Sequence, residues 1–583
     1  MNRRNLIPLL ILAFTVAGIG SASAVDRLVP SIYPTIEVAM AAAENGDRVI
    51  VSAGIYPGPI EFLGKQVELI GEEGPAVTFL DGAGIFDSVV LMDSDGSCAR
   101  LSGFTIQNGF GTSCGFPLAL CGGAVLVTAG NPTIDNCIFT QNSASRGGGV
   151  HAENASLTMI DCTFIDNFAN QGAGISLKGG ASTISGCVFA ENESYGWGGG
   201  VAADFSWVSM TDCTFVLNNS ESGGGFFITE STAFISDVVV ENNSAVDAGG
   251  GGVIDEFSTA ELTNVQFIGN SARLGGGLAV THFCVANIEQ CLIQDNSALE
   301  YGGGIYSFEN FSSYRRTRII GNSAGLKGGG VLVRILAGPL LENCLIQNND
   351  AGVAGGGIAC IEGVAPGFIH CTIDSNTTAG SGGGISAENL SEPVLINTIV
   401  YGNEASSDAG IHAGSQSGFT FDHVVLQESG IEHPLVLVMD ADLEPDGSPG
   451  SCSAAIDEGT SLPAGLPDVD IDGTPRPLGS RRDIGAFEVE GYGHCFLRGD
   501  CNSSGTLDMA DAVMALDYLF TSGDVPGCIE ACDFGGDEII AIDDPISTLY
   551  YLFQGGPPPG VPYPLPTPAV VESLIESCWI LGP

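Results

Sequence analysis

Between residues 137 and 403 the chain alternates short apolar segments with polar turns in one fixed order. CIFTQNSASRGGGV (from Cys137), CTFIDNFANQGAGI (from Cys162) and CVFAENESYGWGGGV (from Cys187) share a frame with CTFVLNNSESGGGF (from Cys213), CLIQDNSALEYGGGI (from Cys291) and CTIDSNTTAGSGGGI (from Cys371). A cysteine comes first, a large apolar residue two places on, an asparagine three places later, then a glycine cluster and another apolar residue. Residues two apart share one face of an extended chain, so the cysteine and the large apolar residue enter the same core. Val, Ile, Phe and Thr dominate these segments, which suits strands.

The asparagines are Asn142, Asn167, Asn192, Asn218, Asn243, Asn270, Asn296, Asn322, Asn349, Asn376 and Asn403, with consecutive spacings of 25 to 27. Asn108 lies 34 residues earlier and reads as one period plus an insertion carrying Cys114 and Cys121. A repeat of this length, rich in glycine and strand formers, predicts a parallel β-solenoid with three short strands and three turns per coil. Stacked coils would lie about 4.8 Å apart. Each asparagine is expected to end a strand, where it tolerates left-handed backbone, and its amide could stack into a ladder. The glycines serve the next turn. No Gly-Lys-Ser/Thr follows them, which argues against a phosphate loop. The file Cys137, Cys162, Cys187, Cys213, Cys291, Cys344 and Cys371 alternates elsewhere with Val238, Val265, Thr317 and Thr398. Valine in the same slot implies buried free thiols. Thiols strung along a solenoid cannot converge on one metal ion.

The repeat resembles that of the chlamydial-type polymorphic outer membrane proteins, over about residues 100–412. There too a large apolar residue precedes Asn by three and a Gly-Gly-Ala-Ile-like element follows. The segment YPTIEVAMAAAENGDRVIVSAGIY, Tyr33 to Tyr56, resembles the opening of many pectin-lyase-like proteins. These resemblances imply an all-β, right-handed, single-stranded parallel β-helix, plugged at its N-terminal end by an amphipathic helix capped by Thr35. Ser451 to Gly491 looks like the terminal segment of many secreted bacterial β-helix proteins. Its Asp468, Asp470 and Asp472 could bind a cation or simply alternate along a strand or loop.

The last part has different chemistry. DCNSSGTLDMAD, from Asp500, places Asp500, Asn502, Ser504, Thr506, Asp508 and Asp511 at positions 1, 3, 5, 7, 9 and 12 of an EF-hand-like loop, with Gly505 at the sharp turn. An amphipathic helix should follow, with Val513, Leu516, Leu519 and Phe520 on its apolar side. The unit recurs 33 residues on: Asp533 matches Asp500, Asp544 matches Asp511, and Leu552-Phe553 match Leu519-Phe520. Asp533, Asp537 and Asp544 are the ligand candidates of this copy. Its Gly535 and Glu538 depart from the loop pattern, as Ser504 does in the first. The duplicated loop-helix resembles the dockerin module. That resemblance implies a small α-helical domain, Ca2+ as the bound ion and a cohesin-like protein as partner. Cys495, Cys501, Cys528, Cys532 and Cys578 are expected to include disulfides, because so small a module has little core.

The organisation read from the chain is a signal peptide at 1–24, an N-terminal cap and first coils at 25–95, β-helix repeats at 96–447, a C-terminal cap segment at 448–491, and the calcium module with a proline-rich tail at 492–583. The leader carries Arg3-Arg4, an apolar run from Leu6 to Ile19 and Ala22-Ser23-Ala24, a pattern for export. No later stretch reads as a transmembrane segment. The expected location is secreted or cell-surface. Sixty-eight acidic against 18 basic residues give a net charge of −50, a poor match for nucleic acid. A hydrophobic content of 44% argues for a packed core despite that charge.

A catalytic set is unknown from the sequence. The Asn-Thr-Asp, Asp-Asp and Gly-His-Gly series of polygalacturonases is not present. Tyr314-Arg315-Arg316-Thr317-Arg318 could face uronate carboxylates, or be an external strand paired with acids. His151, His282 and His412 have no fixed partner in sequence. Three readings stay open: a non-catalytic surface or matrix protein binding glycans or proteins, a polysaccharide lyase or glycoside hydrolase, and a spacer without ligand. Regular coils favour the first and the third.

Overall fold

The computed structural model describes residues 24–93, 98–115, 119–427, 433–437, 441–450, 453–460, 468–489, 498–502, 507–521, 526, 530–535 and 540–557. The chain divides into two compact units, Met1–Val188 and Phe189–Pro583. Both contain parallel β-solenoid. The leader expected at 1–24 lies, but for its last residue, outside the described residues.

In the first unit, Asp26–Val29, Arg48–Val51, Glu68–Gly71, Arg100–Ser102, Thr133–Asp135, Thr158–Ile160 and Ala181–Ser185 pair in parallel, each with the next. Helix α1, Ile36–Ala42, is capped by Thr35, whose hydroxyl accepts the Val38 N–H, and buries Ile36, Ala39 and Met40. The insertion is a two-stranded antiparallel hairpin, Thr112–Ser113 with Leu120–Cys121, closed by a Cys114–Cys121 disulfide.

In the second unit a coil holds four strands rather than three, for example Trp207–Thr211, Thr214–Val216, Asn219–Ser222 and Phe226–Thr229. The extra break comes from Asp212, whose φ of 53° bends the chain just before buried Cys213. Asp237 and Asn264 do the same in the next coils. At the glycine cluster, Gly223 turns with a φ of 68°, and a Cβ on Gly224 would meet the Gly250 carbonyl oxygen at 2.2 Å. Only glycine fits there.

The asparagine ladder forms, with one correction. The left-handed residue is the one before each asparagine, such as Leu217 or Asn242; the asparagine itself points inward and is buried. Asn218 donates from its backbone N–H and from Nδ2 to Asn243 Oδ1, both at 2.9 Å, and from Nδ2 to the Phe189 carbonyl at 2.8 Å. The pattern recurs at Asn243, Asn270, Asn296, Asn322, Asn349 and Asn376. Asn108 is not part of it: with a φ of 59° it occupies the left-handed place, and Gly109 takes the ladder position, donating its N–H to Asn142 Oδ1.

The cysteine file is buried and free of disulfides. Phenylalanines stack beside it, Phe139 on Phe164 at 4.5 Å and, in the second unit, Phe189 on Phe215 at 4.7 Å. These spacings match the coil rise. A second apolar seam, Phe227, Val253, Ala279, Tyr306, Leu332 and Ala359, lies on the outer side of one sheet of the second unit, against Leu274 and Tyr301.

The described residues of 441–450, 453–460 and 468–489 lie against the outer face of strands of the second unit. Ile471, Ala486 and Phe487 cover Leu345, while Ala441, Ala455 and Ile484 cover Ile399. The Ala486 N–H donates to Thr372 Oγ1, and Asn343 Nδ2 donates to the Val469 carbonyl. A fully enclosed Arg476–Glu488 pair at 2.7 Å anchors this segment. Its aspartates are engaged: Asp470 accepts the Asp472, Thr474 and Glu488 N–H groups, Asp468 pairs with Arg482, and Asp472 pairs with Arg318 of the coils.

Near the C-terminus are helices α2, Met509–Phe520, and α3, Asp543–Gln554. They pack on each other, and a Cys501–Cys532 disulfide joins the segments that precede them.

Candidate functional site

Of the calcium-ligand candidates, Ser504, Thr506 and Asp537 lie outside the described residues, as do Gly505 and Glu538. Asp500, Asp511, Asp533 and Asp544 are all buried. Asp511 Oδ1 accepts the Asn502 N–H at 3.1 Å and Oδ2 the Asp508 N–H at 2.7 Å. Asp508 caps α2 by accepting the Ala510 N–H. In the second copy Asp544 accepts the Gly535 and Ala541 N–H groups at 3.1 and 2.9 Å. Burial raises the Asp511 carboxyl, and the neighbouring Asp500 charge raises it further. Asp544 is raised by burial and by Asp533. In the second copy Arg498 pairs with Asp533 at 3.0 Å. Among the described residues no three acidic, histidine or cysteine side chains converge as a metal group.

The expected apolar side of α2 is corrected. Val513 and Phe520 are exposed and Leu516 and Leu519 half-buried, while Ala512 and Ala515 are buried, Ala515 against Cys501 and Cys532. Their counterparts 33 residues on, Ile546 and Phe553, are exposed as well, as are Met509 and Ile542.

The arginine run is bound to acids: Arg315 to Glu342 at 2.6 Å, Arg316 to Glu289 at 2.5 Å and Arg318 to Asp472 at 2.5 Å. His151 is fully buried, with burial pushing it down to about 4. His282 Nδ1 contacts Asp255 Oδ1 at 2.6 Å, and His412 Nδ1 contacts Asp408 at 2.6 Å.

One feature of the second unit has no counterpart in the sequence expectations. Phe205, Phe257, Phe283, Phe311, Leu336 and Leu390 occupy the turn after the same strand of the coil, between 46% and 71% exposed; Phe257 to Leu336 are on adjacent coils, while Glu230 and Gly363 hold the equivalent turns beside Phe205 and Leu390. Adjacent turns are joined by backbone bonds, Phe257 N–H to the His282 carbonyl and Phe283 N–H to the Glu309 carbonyl. Phe257 and Phe283 stack at 5.7 Å. Trp207 and Val285 extend the exposed apolar area onto the following strands. Phe205, Phe257, Phe283, Leu336 and Leu390 hold φ between 48° and 69°. Left-handed backbone costs a bulky residue about 1 kcal/mol or more, so these positions carry strain with little burial in return. The sequence signal was an apolar residue before a small buried one: Phe205-Ser206, Phe257-Ser258, Phe311-Ser312, Leu390-Ser391. Asp204, Glu256, His282 and Glu309 flank the file.

A separate cleft of about 410 Å³ is lined by Gln347, Asp374, Tyr401 and Glu444, among others. Asp374 Oδ2 accepts from Gln347 Nε2 at 2.9 Å, and burial raises the Asp374 carboxyl. Glu444 is exposed.

Comparison with known proteins agrees with the coil architecture. No curated protein matches the chain. Two solved structures that align with it are the catalytic domain of a GH87 α-1,3-glucanase variant in complex with tetrasaccharides and a PL6 alginate lyase in complex with a trisaccharide. The first is 12% identical at a TM-score of 0.28, covering 68% of this chain and 67% of that one. The second is 11% identical at 0.29, covering 71% and 87%. The family model for the right-handed β-helix region matches residues 88–271 and 253–426, more than half of the chain, and the protein belongs to that family.

Proposed function

We propose that this protein is an extracellular, non-catalytic β-helix that binds polysaccharide and is held in place through a calcium-dependent, dockerin-like C-terminal module. The observation that carries the reading is the exposed file of Phe205, Phe257, Phe283 and Phe311. Sugar rings present apolar faces that stack on aromatic side chains, and a regular file offers a chain of rings successive contacts. Keeping large apolar residues exposed on strained backbone is costly for folding alone, which points to selection for contact. The basic run, the best catalytic candidate in the sequence, is tied up in ion pairs, which favours binding over lyase chemistry. For attachment, the paired exposed residues Val513 with Ile546 and Phe520 with Phe553 offer a partner such as a cohesin an apolar surface.

The test is retention of the intact protein on a panel of insoluble polysaccharides, beside the triple variant Phe257→Ala, Phe283→Ala, Phe311→Ala. Retention of the native chain and its loss in the variant, with unchanged circular dichroism, is the expected result. Equal retention of both would remove the file from the reading.

A second reading, glycoside hydrolysis, has the cleft on its side. Its chemistry uses two carboxyl groups flanking the scissile bond, and the cleft is lined by Asp374, whose carboxyl burial raises, and by Glu444. Release of reducing ends by the native chain and not by Asp374→Asn would favour it.

A further inference from the structure

We infer, on the reading just given, that the polysaccharide is polycationic: an amino-sugar polymer carrying an ammonium on successive rings and lying along the coil stack. The apolar file alone would accept any sugar chain; its charged neighbours narrow the choice. Asp204 directly precedes Phe205, Glu256 precedes Phe257, and Glu309 lies two residues before Phe311. Glu230 occupies the equivalent turn between the first two, its N–H donating to the Glu256 carbonyl. The Glu230 carboxyl is raised, first by desolvation and then by the charges of Glu256 and Asp204, so negative potential accumulates along the file. His282 is itself engaged by Asp255. Arg334, on the strand that leads into the turn of Leu336, is neutralised by Glu362 at 2.7 Å.

Aromatic faces and carboxylates share one preference. The ring quadrupole attracts an ammonium over its face, and a carboxylate accepts charge-assisted hydrogen bonds from it. A polyuronate meets the opposite conditions, a negative file on a chain of net charge −50. From Phe257 through Phe283 and Phe311 to Leu336 the contacts recur in adjacent coils, at a rise of about 4.8 Å, which suits a polymer of identical charged rings better than an irregular basic peptide.

The experiment measures binding of the intact protein to soluble β-linked polyglucosamine, its fully N-acetylated oligomers, a polyuronate and polylysine, at low and physiological salt. The expected result is binding of polyglucosamine that weakens about tenfold with salt. It should also weaken about tenfold in the double variant Glu256→Gln, Glu309→Gln. It should be lost in Phe257→Gly, which removes the ring while relieving the left-handed backbone, so that folding is retained. If the neutral acetylated oligomers bind as well and the Gln variants are indifferent, the cationic assignment falls and the polysaccharide reading stands. If no saccharide binds, both fall. If polylysine alone binds in a Phe257-dependent way, the partner is a basic protein and the inference is overturned.

Discussion

Asp511 and Asp544 make the same two hydrogen bonds, one oxygen accepting a backbone N–H nine residues upstream and the other accepting one three residues upstream. Each thereby closes its loop and turns its charge toward a second buried aspartate, Asp500 or Asp533. Two like charges held this way favour protonation. With the Asp511 folded pKa above its ordinary 3.8, the metal-free module gains stability as pH falls and loses it as pH rises through that folded value. On the proposed reading a bound calcium ion would remove the penalty. Hydrogen exchange of 509–520 in the intact protein should therefore slow on adding calcium at neutral pH, by about 2.7 kcal/mol at a hundredfold excess over Kd. Asp500→Asn should abolish the response, and chelator should restore fast exchange. The second loop, whose Gly535 and Glu538 depart from the ligand pattern, should respond less. Equal protection with and without chelator would leave the module held by its disulfide and helix packing alone.

The asparagine ladder makes a sharper claim about stability. Asn296 Oδ1 accepts two bonds from Asn270, and Asn296 Nδ2 donates to Asn322 and to the Phe267 carbonyl. Asn296→Ala leaves several buried groups without partners, at about 1–3 kcal/mol each. Chemical denaturation should show a loss of at least about 3 kcal/mol. The same change at Asn242, the left-handed exposed position, should cost under about 1 kcal/mol. Similar losses at the two sites would contradict the ladder as the stabilising element.

The period was legible because the repeat writes the same residues at Cys213, Asn218 and Gly223 in coil after coil. The fourth strand was not. Its bend falls on Asp212, Asp237, Asn264, Gln290 and Arg316, whose side chains share only a left-handed backbone. Asn108 misled for a related reason: it is the right residue one place early, and the hairpin insertion hid the shift. The apolar file was missed because a phenylalanine beside a strand is ordinarily counted as core, and nothing in Phe257 itself says that Ser258, not the ring, points inward. The duplicated loop was legible as a motif, whereas the outward Val513 and Phe520 depend on which face the two helices share.

Thiol chemistry separates inside from outside. Cys162 touches Cys137 and Cys187 in a sealed interior, and burial pushes its pKa well up. Cys98 is exposed. A thiol reagent applied to native protein should modify Cys98 quickly and leave Cys162, Cys187 and Cys213 untouched until denaturant is added. Peptide mapping would reveal native labelling of the file, which would place these side chains on the wrong face.

Phe257 offers a trade between stability and binding. Its φ is 57° and its ring is mostly exposed. Phe257→Gly should raise the unfolding midpoint slightly, for a gain of up to about 1 kcal/mol, while weakening polysaccharide retention. A loss of stability of more than about 1 kcal/mol would mean that the ring is a packing element and that the file is structural.

His151 supplies the last prediction. It follows Leu126 and precedes Ser176 in a buried row of the first unit, with Nδ1 at 3.1 Å from Ser176 Oγ. Burial is the main cause that holds its pKa down to about 4; Arg146 and Lys178 lower it further and Glu153 opposes them. The ordinary value is 6.5. The folded ring is therefore neutral across a range in which the unfolded ring takes a proton. As pH falls through 6.5 the unfolded state gains that proton and the folded state does not, so stability drops by about 1.4 kcal/mol per pH unit. The loss levels off near pH 4, where the folded ring protonates as well. Carboxylates titrate in the same window, so the informative quantity is a difference. His151→Ser, which copies Ser176, should differ from the native chain by a free energy that changes between pH 7 and 4 with that slope. Hydrogen exchange of Val150–Glu153 reads it locally, without requiring the whole chain to unfold in one step. A difference that stays flat over this range would show that the folded ring protonates normally, and that the row is open to water.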